Sequence, residues 1–370
     1  MLTSIKLRIY PNQLQQEKLA NSFGCARWVW NNSLAACLQT YDDTGKCLRQ
    51  FELNNRLPQL KKEFSWLSRA SAQSLQAVCL NLTQAFDNFA KKRAGYPNFK
   101  SKHSKQSIRF PQHGRIVNER EIYVPKIGYI QMRGYRFIEG TVKHITISKT
   151  SSDKYYAAVL IDTHKELPHI SFDGKILGID VGLNHLLTTS DGLKIENPRQ
   201  LKKAQKNLKR KQQSVSRKKL GSNSRKKAQK LVARTHEKIA NSRKDLLHKL
   251  SHMLINENQV IAVEKLNIRG MLKNHCLSKA ISDAGWFTFK NMLQYKAHRE
   301  GKGYLEVGRF FPSSKMCSSC GYVVDVLPLN VREWVCPICD NLHDRDINAS
   351  INIRVEAERM IATGVVATAD

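Results

Sequence analysis

Hydrophobic and polar residues alternate at the start of the chain, where LTSIKLRIYP reads as a strand that Pro11 closes. Beyond it the period lengthens. Residues 13–40, Asn54–Phe64 and Ser71–Lys92 carry helical spacing, the last with Leu75, Val78, Leu82, Phe86 and Phe89 at steps of three and four. A small helical domain is predicted there. From about Lys105 to His169 the period returns to two, in the short runs SIRFP, REIYVP, YIQMRG, HITISK and YYAAVLID, each bounded by turn residues. These runs predict a small barrel or sandwich, with Leu2–Tyr10 pairing into it from a distance in sequence.

A second organisation begins at Lys175. ILGIDVG is an apolar run holding one carboxylate, and HLLTTSDGLKI follows with Asp191-Gly192 as hairpin chemistry, so three consecutive strands are expected. Arg199–Lys249 then carries 19 Lys or Arg and only two acids, Glu237 and Asp245. Leu231, Ile239, Leu246 and Leu250 keep a helical stripe through it. Gly221–Ser224 breaks the stretch into a basic helical hairpin, with Ser224 as the expected N-cap. QVIAVEKL predicts a further strand ending at Glu264. A helix over 282–300, with Asp283 as a cap before its 284–300 stretch, a strand over Tyr304–Val307, a cysteine region and a helix over Asp344–Met360 follow. The pattern is that of an α+β multi-domain protein.

Composition narrows the partners. Across 370 residues, 61 Lys and Arg against 31 Asp and Glu leave a formal charge of +30, far beyond what solubility requires. A field of that sign attracts a polyanion, and nucleic acid leads over a membrane surface because no amphipathic anchor concentrates the charge. No apolar run reaches the ~18 residues of a membrane span, and the amino terminus lacks a signal-peptide core. A cytoplasmic protein is expected.

Of nine cysteines, Cys25, Cys37, Cys47, Cys79 and Cys276 are scattered among helical patterns and read as reduced packing residues. Cys317, Cys320, Cys336 and Cys339 form two C-x-x-C knuckles, the ligand set of one tetrahedral zinc ion. Four thiolates leave no open position, so this zinc is structural, and His343 is expected outside its ligand sphere. Lys315 and Arg332 beside the knuckles are candidate phosphate contacts.

Asp180 stands in an apolar strand, where a charge is costly without a metal or a partner, and Glu264 poses the same question at the end of VIAVE. An acid in the first turn of the last helix would complete a set able to hold two hard divalent cations. Asp344 and Asp346 compete for that place. Two positions apart on a helix they point about 200° apart, so both cannot serve. Asp191 reads as turn chemistry.

The segments GIDVGLNHLLTTSDG, AVEKLNIRGM, LSKAISDAGWFTF, FPSSKMCSSCG and HDRDINASINI, in that order, resemble the TnpB family of transposon-encoded RNA-guided DNA endonucleases, also described as OrfB-type transposases and related to compact type V CRISPR effectors. LRIYPN, SLQAVCLNLTQAF and GYPNFKSK extend the likeness to the amino half. The resemblance implies that Asp180, Glu264 and Asp346 are the three RuvC-type carboxylates, the last because the family's acid precedes x-N-A. It implies two Mg²⁺ ions at these acids beside the structural Zn²⁺, a guide RNA from the transposon end, a double-stranded DNA target and a nucleoid-associated place in a prokaryote. It also implies a wedge-like β-barrel domain (1–10 and 101–170) interrupted by a helical recognition domain (11–100). An RNase H-like (RuvC) domain (171–312 and 343–370, with the basic hairpin at 197–256) would then carry a zinc ribbon (313–342). Two positions depart from the family pattern, Phe287 and Asp340, where glycine is usual. Two other activities fit the same fold: a catalytically idle RNA-guided DNA-binding repressor, and a transposase performing strand transfer itself.

Overall fold

The computed structural model describes residues 1–135 and 137–364, so Arg136 and the 365–370 end of the last predicted segment lie outside the described residues. The chain divides into two compact units, Met1–Glu166 and Leu167–Asp370.

In the first unit, β1 (Leu2–Tyr10) precedes three helices, α1 (Gln13–Thr44), α2 (Gln50–Glu63) and α3 (Ala72–Ala90). β2 (Gln106–Phe110), β3 (Arg115–Asn118), β4 (Glu121–Val124), β5 (Gly128–Arg133), β6 (Thr141–Lys149) and β7 (Tyr155–Asp162) follow. β1 becomes an inner strand of a seven-stranded sheet ordered β2-β6-β7-β1-β5-β4-β3. It pairs antiparallel with β7 from Leu2↔Asp162 to Ile9↔Tyr155, so the helices are an insertion between the first strand and the rest of its sheet. Alternation decides which side is dry: Leu7, Ile9, Ile145, Ile147, Val159 and Ile161 enter one core shared with Leu19, Phe23, Val29, Leu75 and Leu82 of the helices. α1 is one helix of 32 residues, opened by a reciprocal cap between Asn12 and Gln15 and closed by Gly45 at φ 69°.

The second unit centres on a five-stranded sheet. β8 (Ile176–Asp180), β9 (His185–Thr189) and β10 (Lys194–Glu196) form the meander, α4 (Gln200–Ser216) and α5 (Asn223–Glu257) the basic hairpin, and β11 (Val260–Glu264) returns parallel to β8. After α6 (Ile268–Met271), α7 (Ser278–Ala284) and α8 (Trp286–Arg299), β12 (Gly303–Val307) adds parallel to β11. A two-stranded sheet of β13 (Glu333–Val335) and β14 (Leu342–Asp344) leads into α9 (Arg345–Ala362). The order is β10-β9-β8-β11-β12.

Three local expectations are corrected. The helix expected over 282–300 is two helices, because Gly285 at φ 73° ends α7 and starts α8. Asp283 therefore does not cap the following helix. Its carboxylate accepts from the Leu201 amide at 2.8 Å, in the first turn of α4, 82 residues earlier. The cap of α5 is Ser222 rather than Ser224, accepting from the Arg225 amide. Among the described residues no helix is long and apolar enough to cross a membrane.

The sheet is covered on both faces, and strand parity assigns the faces. Leu177, Ile179, Ile261 and Val263 pack with Leu247, Leu254, Phe289 and Leu293 of α5 and α8. Val260 and Ala262, one residue out of phase, pack with Ile353 and Ala357 of α9. Gly178 shares the α9 face, and a Cβ there would lie 2.1 Å from the Ser350 carbonyl oxygen and 2.7 Å from the Arg354 nitrogen, both backbone. Only glycine permits this approach. Gly178→Ala should therefore cost about 1–3 kcal/mol or more, seen as a lowered melting temperature against wild type, because backbone cannot yield as a side chain can.

Candidate functional site

Strand parity delivers two acids to one place. Asp180 has the parity of Gly178 and Glu264 that of Ala262, so both belong to the α9 face at the carboxyl ends of their strands. The register Ile179↔Val263 sets the two carboxylates level on neighbouring parallel strands. A cavity of about 440 Å³ opens beside Glu264, lined by Lys265, Asn267 and Arg309 among others. Burial, then the facing charges of Asp346 and Glu264, push Asp180 up to about 8. Burial also raises Glu264.

The start of α9 places Asp344 and Asp346 in different surroundings. Asp344 is the N-cap: its Oδ1 accepts from the amides of Asp346 at 3.1 Å and Ile347 at 3.0 Å, and its Oδ2 from Lys194 Nζ at 2.5 Å. Burial presses Asp344 upward, but the Lys194 ammonium and these two amides outweigh it and hold the carboxyl below its ordinary range. Both of its oxygens are thus engaged. Asp346 stands in the first turn, close enough for its charge to act on Asp180, with Arg332 Nη1 3.2 Å from Oδ1 and His185 Nδ1 3.6 Å from Oδ2.

The chemistry of this set fits divalent cations. Asp180 and Glu264 are hard oxygen donors whose charge burial penalises, Asp180 further disfavoured by the other two acids, and Mg²⁺ is held by a few such oxygens plus water and substrate. The three acids are not all within reach of one ion. Among the described residues, the cysteines alone place three or more ligand atoms within 4.8 Å of one another.

That cysteine cluster fits zinc. Cys317 Sγ and Cys339 Sγ are 3.6 Å apart, as are Cys320 Sγ and Cys336 Sγ, against about 3.8 Å for a tetrahedron with Zn–S bonds of about 2.3 Å. The two knuckles close alike: the Gly321 amide donates to the Cys317 carbonyl at 2.9 Å and the Asp340 amide to the Cys336 carbonyl at 3.0 Å. Gly321 has φ 81° and Asp340 φ 53°, both in the left-handed conformation that glycine adopts without strain. The other departure, Phe287, is 63% exposed in the first turn of α8 and disturbs nothing buried. Burial works against the Cys317 thiolate, but the Cys320 and Ser319 amides, Cys320 itself and His343 overcome it and hold the thiol down to about 5. His343 Nε2 lies 3.0 Å from Cys317 Sγ, beside the four sulfurs and not among them.

The cluster and the acid helix are tied together. Asn348 Nδ2 donates to the Met316 carbonyl at 2.7 Å while its Oδ1 accepts from the Ser318 amide at 2.9 Å, and Asn352 donates to Ser313 and Met316 carbonyls at 2.8 and 2.6 Å. The first knuckle therefore rests on the helix that carries Asp346. Lys315 and Arg332 both have protein partners, Lys315 the Asp325 carbonyl at 2.6 Å and Arg332 the Asp346 carboxylate. His185 and Lys194, which partner the acids, carried no signal of their own beyond lying in the same hairpin as Asp180.

A family model described as "Probable transposase" matches residues 161–275, and one described as "Cas12f1-like, TNB domain" matches 286–353, across both knuckles and Asp346. A protein of Streptomyces pristinaespiralis named "Putative RNA-guided DNA endonuclease" is 37% identical over 99% of this chain and 90% of its own length. The chain belongs to the TnpB family. Another TnpB relative, "Putative RNA-guided DNA endonuclease InsQ" of Escherichia coli K12, is 28% identical over 98% of this chain and 94% of its own. The solved structure titled "Cryo-EM structure of the Cas12f1-sgRNA-target DNA complex" is 16% identical, with a TM-score of 0.37, over 96% of this chain and 99% of that one. A third model, described as "Helix-turn-helix domain", matches residues 1–46 of this TnpB chain, which here form one strand and one unbroken helix.

Two measurements check the site. Metal analysis of the purified protein should find one zinc per chain, and Cys336→Ser should lose it together with much of the melting transition of the second unit. The pH dependence follows from Asp180, whose folded pKa lies above its ordinary value of 3.8. Ionising it costs the folded state, so stability without Mg²⁺ should fall as pH rises from about 4 and level off above about 8. Asp180→Asn should remove that slope, and Mg²⁺ should raise the wild-type melting temperature more at pH 8.5 than at pH 6. Equal Mg²⁺ effects at both values would contradict the assignment.

Proposed function

We propose that this chain is an RNA-guided endonuclease that cuts double-stranded DNA beside a short flanking motif, at one RuvC-type two-metal site, and that a transposable element encodes it. The observation that carries the reading is the placing of Asp180 and Glu264 level on adjacent parallel strands, with Asp346 at the start of the helix packed over the same face. The meander followed by two parallel additions, with α9 across one face, supports an RNase H-like assignment. The names of the relatives support the guide RNA and the DNA target.

In this reading Asp180, Glu264 and Asp346 hold two Mg²⁺ ions, which when bound activate water for in-line attack on the phosphodiester and stabilise the leaving oxygen. Asp180 and Glu264, fixed by backbone pairing, would hold those ions in a set place. Asp346 closes the site from α9, with Arg332 orienting one of its oxygens. α4 and α5 draw the nucleic acid in, with Lys and Arg far outnumbering acids over Arg199–Lys249. The wedge-like sheet (1–10 and 101–170) with its inserted helical recognition segment (11–100) makes up the first unit and reaches four residues, 167–170, into the second. In the second, a RuvC-like domain (171–312 and 343–370) carries the zinc ribbon at 313–342. Its place is the nucleoid-associated cytoplasm of a prokaryote.

Plasmid cleavage with the copurified RNA and Mg²⁺ tests the proposal. Wild type should cut, and Asp346→Ala should lose at least about a hundredfold in rate, beyond what losing an outer partner of a metal ligand costs, while still binding RNA. Asp344→Ala should cut at a rate close to wild type but melt lower, by about 1 kcal/mol of lost cap. An active Asp346→Ala protein would overturn the site, and strand-joined products would favour a transposase.

A further inference from the structure

The first unit encloses a cavity of about 270 Å³ between α1, α3, the segment 100–106 and strands β2 and β6. Its volume is at the lower edge of small-ligand sites, the scale of one nucleotide. Arg27, Lys100, Lys105, Arg109 and His144 line it, and no carboxylate does. Lys100 Nζ is 3.3 Å from the centre of the Trp30 ring. Arg109 Nη2 is 3.1 Å from His144 Nδ1, while Arg109 Nε is buried with no hydrogen-bond partner. The Ser74 hydroxyl on the same wall is also buried and without a partner.

Each fact points the same way. A guanidinium with a buried, unused N–H is costly unless something supplies an acceptor, and four lysines and arginines with no carboxylate among them call for an anion. The forked donors of arginine match a phosphate, and the apolar wall of Phe23, Ala26, Ala77 and Val78 suits the less polar remainder of a nucleotide. We infer that this cavity binds the phosphate of a single nucleotide, gripped by Arg109 and Lys100 with Ser74 as a further donor. The site lies wholly in the first unit, so it is distinct from the carboxylate centre. It rests on the nuclease reading only for the source of the nucleotide, a bound RNA strand.

Isothermal titration of the full chain with uridine 5′-monophosphate and with uridine tests this. The monophosphate should bind and the nucleoside should not. Arg109→Gln and Lys100→Met should each weaken it about tenfold or more, the worth of one charge-assisted hydrogen bond. Lys102→Ala, an exposed lysine outside the cavity, should change nothing. Lys100 is at the mouth, so its replacement leaves the core intact should Arg109→Gln fail to fold, which melting curves would reveal. Titration with 5′-phosphorylated and 5′-hydroxyl RNA then identifies the source. Equal weakening of both by Lys100→Met marks an internal phosphate, weakening of the phosphorylated form alone a terminal one, and no weakening of either a free nucleotide. Binding of uridine as tight as its monophosphate, or an equal loss in Lys102→Ala, would overturn the proposal. That outcome would leave cleavage by the wild type untouched, whereas absent cleavage with phosphate binding retained would count against the nuclease reading alone.

Discussion

The second unit depends on one close approach, that of α9 to β8 across Gly178. With the Ser350 carbonyl 2.1 Å from where a Cβ would be, the helix is seated on strand backbone. Ile353 and Ala357 then meet Val260, Ala262, Leu305 and Val307, so the fit propagates along the face as ordinary apolar packing. Asp180 is two residues from the contact and Asp346 one turn before it. The geometry of the acids is therefore inherited from backbone packing, which is the stiffest support a protein offers.

Electrostatics imposes the second constraint. The unit gathers three carboxylates and four sulfurs around one helix in a chain of formal charge +30. Neither cluster is comfortable by itself, since Asp180 is driven up while Cys317 is held down only by the amides and donors around it. Cations would relieve both, hard ions on oxygen and a soft one on sulfur. The charge balance that attracts a polyanion is thus inverted locally, around Asp180 and Glu264.

Much of this was legible because strand and knuckle chemistry are local. The period-two runs, the apolar strands interrupted by Asp180 and ended by Glu264, and the paired C-x-x-C steps all stand within a few residues. What depends on distant partners was not. Asp283 looked like a cap because it precedes an apolar helical run, yet it serves Leu201 at the far end of the basic hairpin. Helical periodicity alone could not reveal that Gly285 divides the run, since both halves keep the same apolar face. Asp344 and Asp346 were separable in sequence only through family likeness. In the structure a lysine on β10 and two amides distinguish them. His185 and Arg332 gain meaning only when the hairpin and the ribbon converge on the helix start.

The asparagine clamp bears on how this chain can vary in length. Asn348 and Asn352 fix the first knuckle to α9, and only residues 340–345 separate Cys339 from Asp346, including β14 and the helix cap. A single residue gained or lost in that stretch would turn Asp346 about 100° around its helix or pull the cysteine out of its cluster. The segment between Cys320 and Cys336 is freer, with Val326 and Leu329 about four-fifths exposed. Insertions among relatives should therefore collect between the knuckles and be missing after them, so that the ribbon can change its reach toward a substrate while the acid behind it keeps its place.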